Sequence, residues 1–348
     1  MWGGGKRTGK TLVWVRERVR PFAPFLFFPL EDFDMPAVVE KMVHFGEMPW
    51  HGDSEELTGN ETSQEVMQKA GLDWNVVTKP LFMEDGTAVP AQASIRESDN
   101  SVLGVVGPRW TPLQNADAFG VFEPLVESGD MAWHTAGSLR DGQRVWVLCQ
   151  LNLDNSEIVK GDEISKFALL SNGHDGKLAV HFGFTPIRVV CANTEALARE
   201  CKASKLIRVR HHRFVKDNVE KLRDIMNVAN QEFEATCDEY RFLASRSINQ
   251  EDLEKYVKIV FNQHGKDNDE IPTRSKNIMN RVEELFTDGR GNNLEGVSGT
   301  WWAAYNAVTE YLNYEKGRTT QNRLDSLWFG QNGVQSQKAL AQAVALAS

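Results

Sequence analysis

The hydrophobic pattern of this chain changes period once, near Val215, and that change decides what it can fold into. Upstream the apolar residues alternate. Val145, Val147, Cys149 and Leu151 share one face of a strand over residues 143–151, and Leu178, Val180, Phe182 and Phe184 share one face of another over 177–184. Downstream, Val219, Leu222, Met226, Ala229, Phe233, Thr236, Tyr240 and Leu243 recur at alternating threes and fours, which is the seam of a helix. The strands are joined by turn-forming clusters and not by regular helices. The expected class is α+β, with a largely antiparallel sheet in the N-terminal and central part, followed by a helical C-terminal region.

Local signals fill in the rest. Residues 62–70 read as a short helix. Residues 81–83 and 88–95 flank the turn Glu84-Asp85-Gly86 as a hairpin, and 101–106 is the next strand. Thr111-Pro112 is expected to open a helix with Phe119, Phe122, Leu125 and Val126 on its apolar face. Residues 166–171 form a short strand ended by Asn172-Gly173-His174-Asp175-Gly176. Residues 187–192 form another after Pro186, with Asn193 or Thr194 capping a short helix, and 206–212 return as a strand. Further helices are expected from Asn249, over 275–286 and over 300–313, with a mobile alanine-rich helix over 335–347. The domain reading is 1–34 as an extension, 35–215 as mainly β, 216–314 as helical, and 315–348 as a loop plus the last helix.

The 348 residues carry a net charge of −9, which opposes general attraction to nucleic acid, so a polyanion site has to be local. No apolar run approaches the roughly 20 residues of a membrane span, so no membrane partner is expected. Cys149, Cys191, Cys201 and Cys237 lie far apart without metal-type spacing, which suggests buried thiols in a reducing cytoplasm. No metal or cofactor is implied. The first 34 residues differ in composition. Gly4 to Thr11 reads GGKRTGKT and fits a phosphate-binding loop, but only three residues precede it, so the strand that presents such a loop is missing. The segment is expected to be upstream sequence translated ahead of a start at Met35, or else a disordered tail.

Three groups of residues suggest chemistry. Between Pro186 and Arg223 lie ten Lys and Arg against four acids, a local +6 in an acidic protein. Alternation puts Arg208, Arg210 and His212 on one strand face, with Ile207 and Val209 on the other, and Arg188, Arg213 and Lys216 flank them. Cations beside aromatic rings are what a single-stranded nucleic acid groove needs, while a solvated outer face is the plain alternative. His174 and Asp175 are a candidate base and orienting acid, or metal ligands with His181; their Asn-Gly and Asp-Gly setting is equally ordinary turn chemistry. Cys191 alternates with Ile187 and Val189, as a core thiol does, and Asn193 reads as a cap. Trp301, Trp302 and Tyr305 could stack bases, though aromatics at this helical spacing are ordinarily packed.

Several separated motifs, in order, carry a family resemblance. They are LGVVGPRWTPLQN at 103–115, GQRVW at 142–146, SNGHDG at 171–176, TPIRVVCANT at 185–194, TWW at 300–302 with NAVTEYL at 306–312, and SLWFG at 326–330. With these the chain resembles the phage/plasmid-like proteins gathered as domain of unknown function 932, from about Met35 to the C-terminus. The resemblance implies a protein of a phage, prophage or mobile plasmid, and it transfers no catalytic residue. Three functional expectations follow. The first is single-stranded DNA binding in recombination or annealing, without enzymatic activity. The second is a metal-dependent hydrolase or nuclease built on His174 and Asp175. The third is a non-catalytic module that engages a host protein or forms a homo-oligomer through the 219–243 seam.

Overall fold

The computed structural model describes residues 41–46, 54–151, 155–188, 193–194, 207–213, 226–262 and 272–348. The GGKRTGKT stretch and the possible start at Met35 lie outside the described residues, as do Cys191, Cys201, Lys216 and the 219–225 part of the seam.

The architecture is α+β. Its strands are β1 (Met42–His44), β2 (Ser54–Glu56), β3 (Val76–Phe82), β4 (Ala88–Arg96), β5 (Val102–Val106), β6 (Met131–Leu139), β7 (Arg144–Leu151), β8 (Ser156–Val159), β9 (Asp162–Gly173), β10 (Val180–Arg188), β11 (Asn193–Thr194) and β12 (Ile207–Val209). The main sheet runs β11-β10-β9-β7-β6-β1-β2, with β12 on β10 and β8 on β9. Among the described residues every pairing in it is antiparallel except β1 with β2. A second sheet runs β3-β4-β5.

Both faces of the main sheet are covered, and alternation along β7 decides which residue serves which side. Val145, Val147, Cys149 and Leu151 enter a core with Leu103, Phe119 and Phe122, which come from β5 and the first short helices. Trp146 and Leu148 enter the opposite core, under the C-terminal helices. Those short helices are α1 (Ser63–Lys69), α2 (Asn115–Phe119) and α3 (Glu123–Glu127). The C-terminal layer holds α4 (Met226–Ala244), α5 (Gln250–Val260), α6 (Thr273–Asp288), α7 (Trp301–Glu310), α8 (Thr320–Phe329) and α9 (Gln331–Ala347). One turn of π-helix (Tyr311–Glu315) extends α7.

Caps set several of these helix starts. The Thr62 hydroxyl accepts from Glu65 N, and Glu65 Oε2 accepts from Thr62 N at 2.8 Å, which closes a capping box on α1. Asn249, Thr300 and Thr319 cap α5, α7 and α8 in the same sense. The described part of the seam, with Phe233, Thr236, Tyr240 and Leu243, is buried inside the chain, and Tyr240 meets Trp302 at 4.6 Å. From Phe233 to Leu243 that face therefore packs inside the chain. Trp301, Trp302 and Tyr305 are likewise interior, and Trp302 Nε1 donates to Asp162 Oδ2 at 2.8 Å. Cys149 and Cys237 are free, buried thiols.

Several expected elements take a different form. The helix expected from Thr111 begins only at Asn115, whose side-chain amide donates to the Leu72 and Trp74 carbonyls, and Gly120 then separates α2 from α3. The strands around Pro186 are one continuous β10, because Pro186 lies between the stretches that pair β12 and β11, where the outer edge needs no donor. Asn193 and Thr194 pair with Arg188 and Ile187 as strand β11, and the helix expected after them lies outside the described residues. The tail read as a loop contains α8. The alanine-rich helix is docked, with Ala339, Leu340 and Ala343 buried and the Ala339 carbonyl accepting from Tyr256 Oη at 3.1 Å.

Candidate nucleic-acid interface

Strand β12 is held on β10 by three register pairs, Val180 with Val209, His181 with Arg208 and Phe182 with Ile207. Val209 is buried in the core with Val180 and Phe182. Period two therefore turns Arg208 to solvent, where it is exposed and its Nε donates to His181 Nε2 at 3.0 Å. Arg210 is exposed as well. Among the described residues neither Arg208 nor Arg210 forms an ion pair with a carboxylate. Arg213 is exposed and His212 half-buried. Arg188 pairs through its backbone with Ile164 and Asn193, while its side chain and Lys216 lie outside the described residues.

The strand ends sooner than its sequence suggests. After Val209 the chain bends, and His211 turns inward. Its ring stacks on Trp110 at 5.0 Å, with 27° between the planes, and its Nδ1 lies 3.2 Å from the Thr111 carbonyl. A carbonyl only accepts, so Nδ1 carries the proton and Nε2 is a bare acceptor. Burial pulls the His211 pKa down to about 4, so the ring is neutral and serves to pin the segment. This contact brings the exposed Arg109, next to Trp110, to the same end of the sheet as Arg210 and Arg213. Val180 pairs with Val209 in antiparallel register, so exposed Lys177, three residues before Val180, leads into the same end of the sheet. Arg109, Trp110, Lys177 and His211 escape the alternation argument, because Trp110 and His211 meet across about a hundred residues of chain.

His174 and Asp175 lie beneath this edge rather than on it. His174 is fully buried and Asp175 is 3% exposed. The His174 backbone N donates to the Gln143 carbonyl at 2.8 Å, and its Nε2 lies 3.1 Å from Asn115 Oδ1. Burial drives the His174 pKa down to about 3, which holds the imidazole neutral. Asp175 Oδ1 accepts from Lys177 N at 2.9 Å and so shapes the turn, in which Gly176 takes φ 75°. The turn also lies against β5, where a Cβ on Gly104 would stand 2.7 Å from Asp175 Cα. His174 Nδ1, Asp175 Oδ2 and His211 Nε2 are buried without a hydrogen-bond partner among the described residues. No three His, Cys, Asp or Glu side chains among the described residues converge to hold a metal. His181 is engaged by Arg208 and does not join His174.

Among the described residues no helix is long and apolar enough to cross a membrane. No curated protein and no solved structure matches the chain. One family model, described as Domain of unknown function (DUF932), matches residues 102–328. That span runs from β5 to α8, and it takes in the strand bearing Arg208, the Trp110–His211 stack and the buried turn of His174 and Asp175. The chain belongs to the DUF932 family, a domain of unknown function.

Proposed function

We propose that this protein binds single-stranded nucleic acid, DNA in the first instance, at the sheet end formed by Arg208, Arg210 and Arg213 with Arg109 and Lys177. The observation that carries the reading is that Arg208 and Arg210 are exposed and, among the described residues, without a carboxylate partner, close to a stacked aromatic pair. Cations attract phosphates, and a partly exposed Trp110 offers a ring face to a base. With an overall charge of −9, a polyanion needs a local basic surface such as this edge. The resemblance to phage and plasmid proteins suggests the setting, namely recombination or annealing by a mobile element in the bacterial cytoplasm.

The test is anisotropy of a short labelled oligonucleotide titrated with the full chain at several salt concentrations. Binding through about three to five phosphate contacts gives a log–log salt slope of roughly −2 to −3.5. Arg208→Glu with Arg210→Glu should abolish it, and Trp110→Ala should weaken it without changing the slope. Absence of binding at low salt would remove the proposal.

A further inference from the structure

The β3–β4 hairpin outruns the strand beside it. Strand β5 ends at Val106, which pairs with Gln92. Past Gln92, among the described residues, β4 pairs with β3 alone, through Val89 with Leu81 and Ala88 with Phe82. At roughly 3.3 Å per residue, the stretch from Gln92 to Ala88 carries this two-stranded arm up to about 13 Å beyond β5. Its tip is a formed turn. Met83 N donates to the Thr87 carbonyl at 2.8 Å, Gly86 N donates to the Met83 carbonyl at 2.9 Å, and Thr87 N donates to Asp85 Oδ1 at 2.9 Å. Phe82 and Met83 stand there 60% and 57% exposed, and Pro80, Ala88 and Pro90 beside them are exposed too. A contiguous apolar surface of this kind marks an interaction site more than scattered apolar residues do.

The root of the arm is tied to the basic edge. The chain leaves β5 through Gly107 and Pro108 to Arg109 and Trp110, and Trp110 N donates to the Gly107 carbonyl at 3.0 Å. Gln92 Nε2 reaches that same carbonyl at 3.4 Å. The arm therefore starts at the turn that carries exposed Arg109 and the Trp110–His211 stack. Alternation fixes which way Phe82 faces. A Cβ on Gly104 would meet the Asp175 backbone, and Gly104 pairs with Ser94, which pairs with Thr78. In steps of two from Thr78, Pro80 and then Phe82 share that face. The irregularity after Pro80 places two extra residues, Pro90 and Ala91, on β4, an even number that preserves the alternation. Ala88, the partner of Phe82, reaches the same face in steps of two from Ser94. Phe82 thus lies on the side of the small sheet where the Asp175 turn leads to exposed Lys177.

Charge sorts the two ends of the arm. Glu84 and Asp85 are exposed at the tip, while Arg109 and Lys177 are exposed near the root. Phosphates are repelled from the tip and held at the root, so what reaches the Phe82 ring from a bound strand is a base. A second copy of the chain fits less well, since a stable dimer buries roughly 800 Å² per partner and one aromatic ring supplies about 150–250 Å².

We infer that the β3–β4 arm is the base-binding half of the site whose phosphate-binding half is the basic edge, with a base of the bound strand stacked on Phe82. The inference rests on the proposed reading of that edge, and it names the ligand class as a strand with unpaired, accessible bases. A duplex keeps its bases inside its own stack and gains nothing from the ring, so preference for single strand over duplex lies with Phe82.

The experiment titrates the full chain into a short oligothymidylate carrying one fluorescent aminopurine at successive positions, beside the matching duplex. Emission should change saturably at particular positions of the single strand. Phe82→Ala should abolish that change and weaken single-strand binding about five- to a hundredfold at an unchanged salt slope. Phe82→Trp should restore both, duplex binding should be the same in all three proteins, and unchanged urea midpoints should show an intact fold. If the wild type binds no single strand at low salt, the reading of the basic edge fails and takes the arm with it. If Arg208→Glu with Arg210→Glu abolishes binding while Phe82→Ala leaves it intact, the edge stands and the role of the arm is overturned. Equal weakening of single strand and duplex by Phe82→Ala overturns the preference assigned to the ring. A solution mass that halves in Phe82→Ala overturns the inference in favour of a second copy.

Discussion

His174 Nε2 and Asn115 Oδ1 face each other at 3.1 Å inside the protein, across 59 residues of sequence. The Asn115 amide donates to the Leu72 and Trp74 carbonyls, so its oxygen is the accepting end and His174 must carry its proton on Nε2. One neutral imidazole thereby ties the β9 turn to the start of α2 and, through its backbone N, to the β6–β7 turn at Gln143. His174→Ala leaves the Asn115 oxygen unmatched in the interior and opens a hole. Urea denaturation should show a loss of about 2–4 kcal/mol, combining the orphaned acceptor with the cavity. His174→Gln keeps a donor in reach and should lose less than half as much. Equal losses in the two variants would show that the hydrogen bond contributes nothing.

Acid stability should reflect the same burial. Burial lowers His174 to about 3, and lowers His134 and His211 each to about 4, from an ordinary 6.5. Folded-state pKa values below the unfolded ones mean that the unfolded chain binds more protons between the two, so stability rises with pH across that window. The contribution is complete above about 6.5 and is lost progressively as pH falls toward 4 and then 3. Midpoints of urea unfolding measured between pH 7.5 and pH 4.5, a range chosen at roughly the ordinary titration of histidine, should fall steadily. His174→Gln should flatten the fall. A flat wild-type profile would mean that these imidazoles are hydrated.

Gly104 tests whether β5 must touch the turn beneath the basic edge. A Cβ there would meet Asp175 Cα at 2.7 Å and its carbonyl oxygen at 2.8 Å, both backbone atoms that cannot rotate away. Gly104→Ala should cost about 1–3 kcal/mol through forced separation of β5 from the turn. Gly107→Ala, with nothing within 4 Å of the new methyl, serves as the control and should be close to neutral. Oligonucleotide binding by the Gly104 variant should weaken along with its stability, because the turn carrying Lys177 shifts.

Particular residues explain how much of this was legible in advance. The faces of β7 were readable because Val145, Val147, Cys149 and Leu151 alternate without interruption. Strand β6 was not, since it is buried on both faces from Thr135 to Leu139, so no polar beat marks its period. Thr62, Asn249 and Thr300 announced helix starts because a cap is a local interaction. Arg208 and Val209 were correctly placed on opposite sides by alternation. His212 was not placed by it, because the strand stops at Val209, where His211 leaves to stack on Trp110. That contact is long-range, and no local pattern encodes it. The burial of His174 and Asp175 has the same origin, since Gly104 and Asn115 cover them from distant parts of the chain.

Asp325 joins the helical layer to the sheet, and its removal gives the sharpest test of that joint. Arg144 Nη1 donates to Asp325 Oδ1 at 3.1 Å, Arg140 Nη2 donates to Asp325 Oδ2, and the Arg144 guanidinium lies 4.8 Å above the Phe329 ring. Burial lowers the Arg144 pKa, and the charge of Asp325 works against that loss. Arg140 is also held at φ 56° at the end of β6, a conformation that a side-chain tether helps to keep. Both side chains of the Arg144–Asp325 pair are nearly buried, at 11% and 13% exposure. Asp325→Asn therefore strands a guanidinium in a poorly solvated place. The expected loss is about 2–3 kcal/mol, somewhat under the range for breaking a fully buried pair. Arg144→Met should lose less, because it removes the buried charge and keeps an apolar stem against Phe329. In the double variant the two losses should not add, since once Arg144 is gone Asp325 has only the more exposed Arg140 to hold. Strict additivity in urea would mean that α8 is anchored by Phe329 and its apolar neighbours alone.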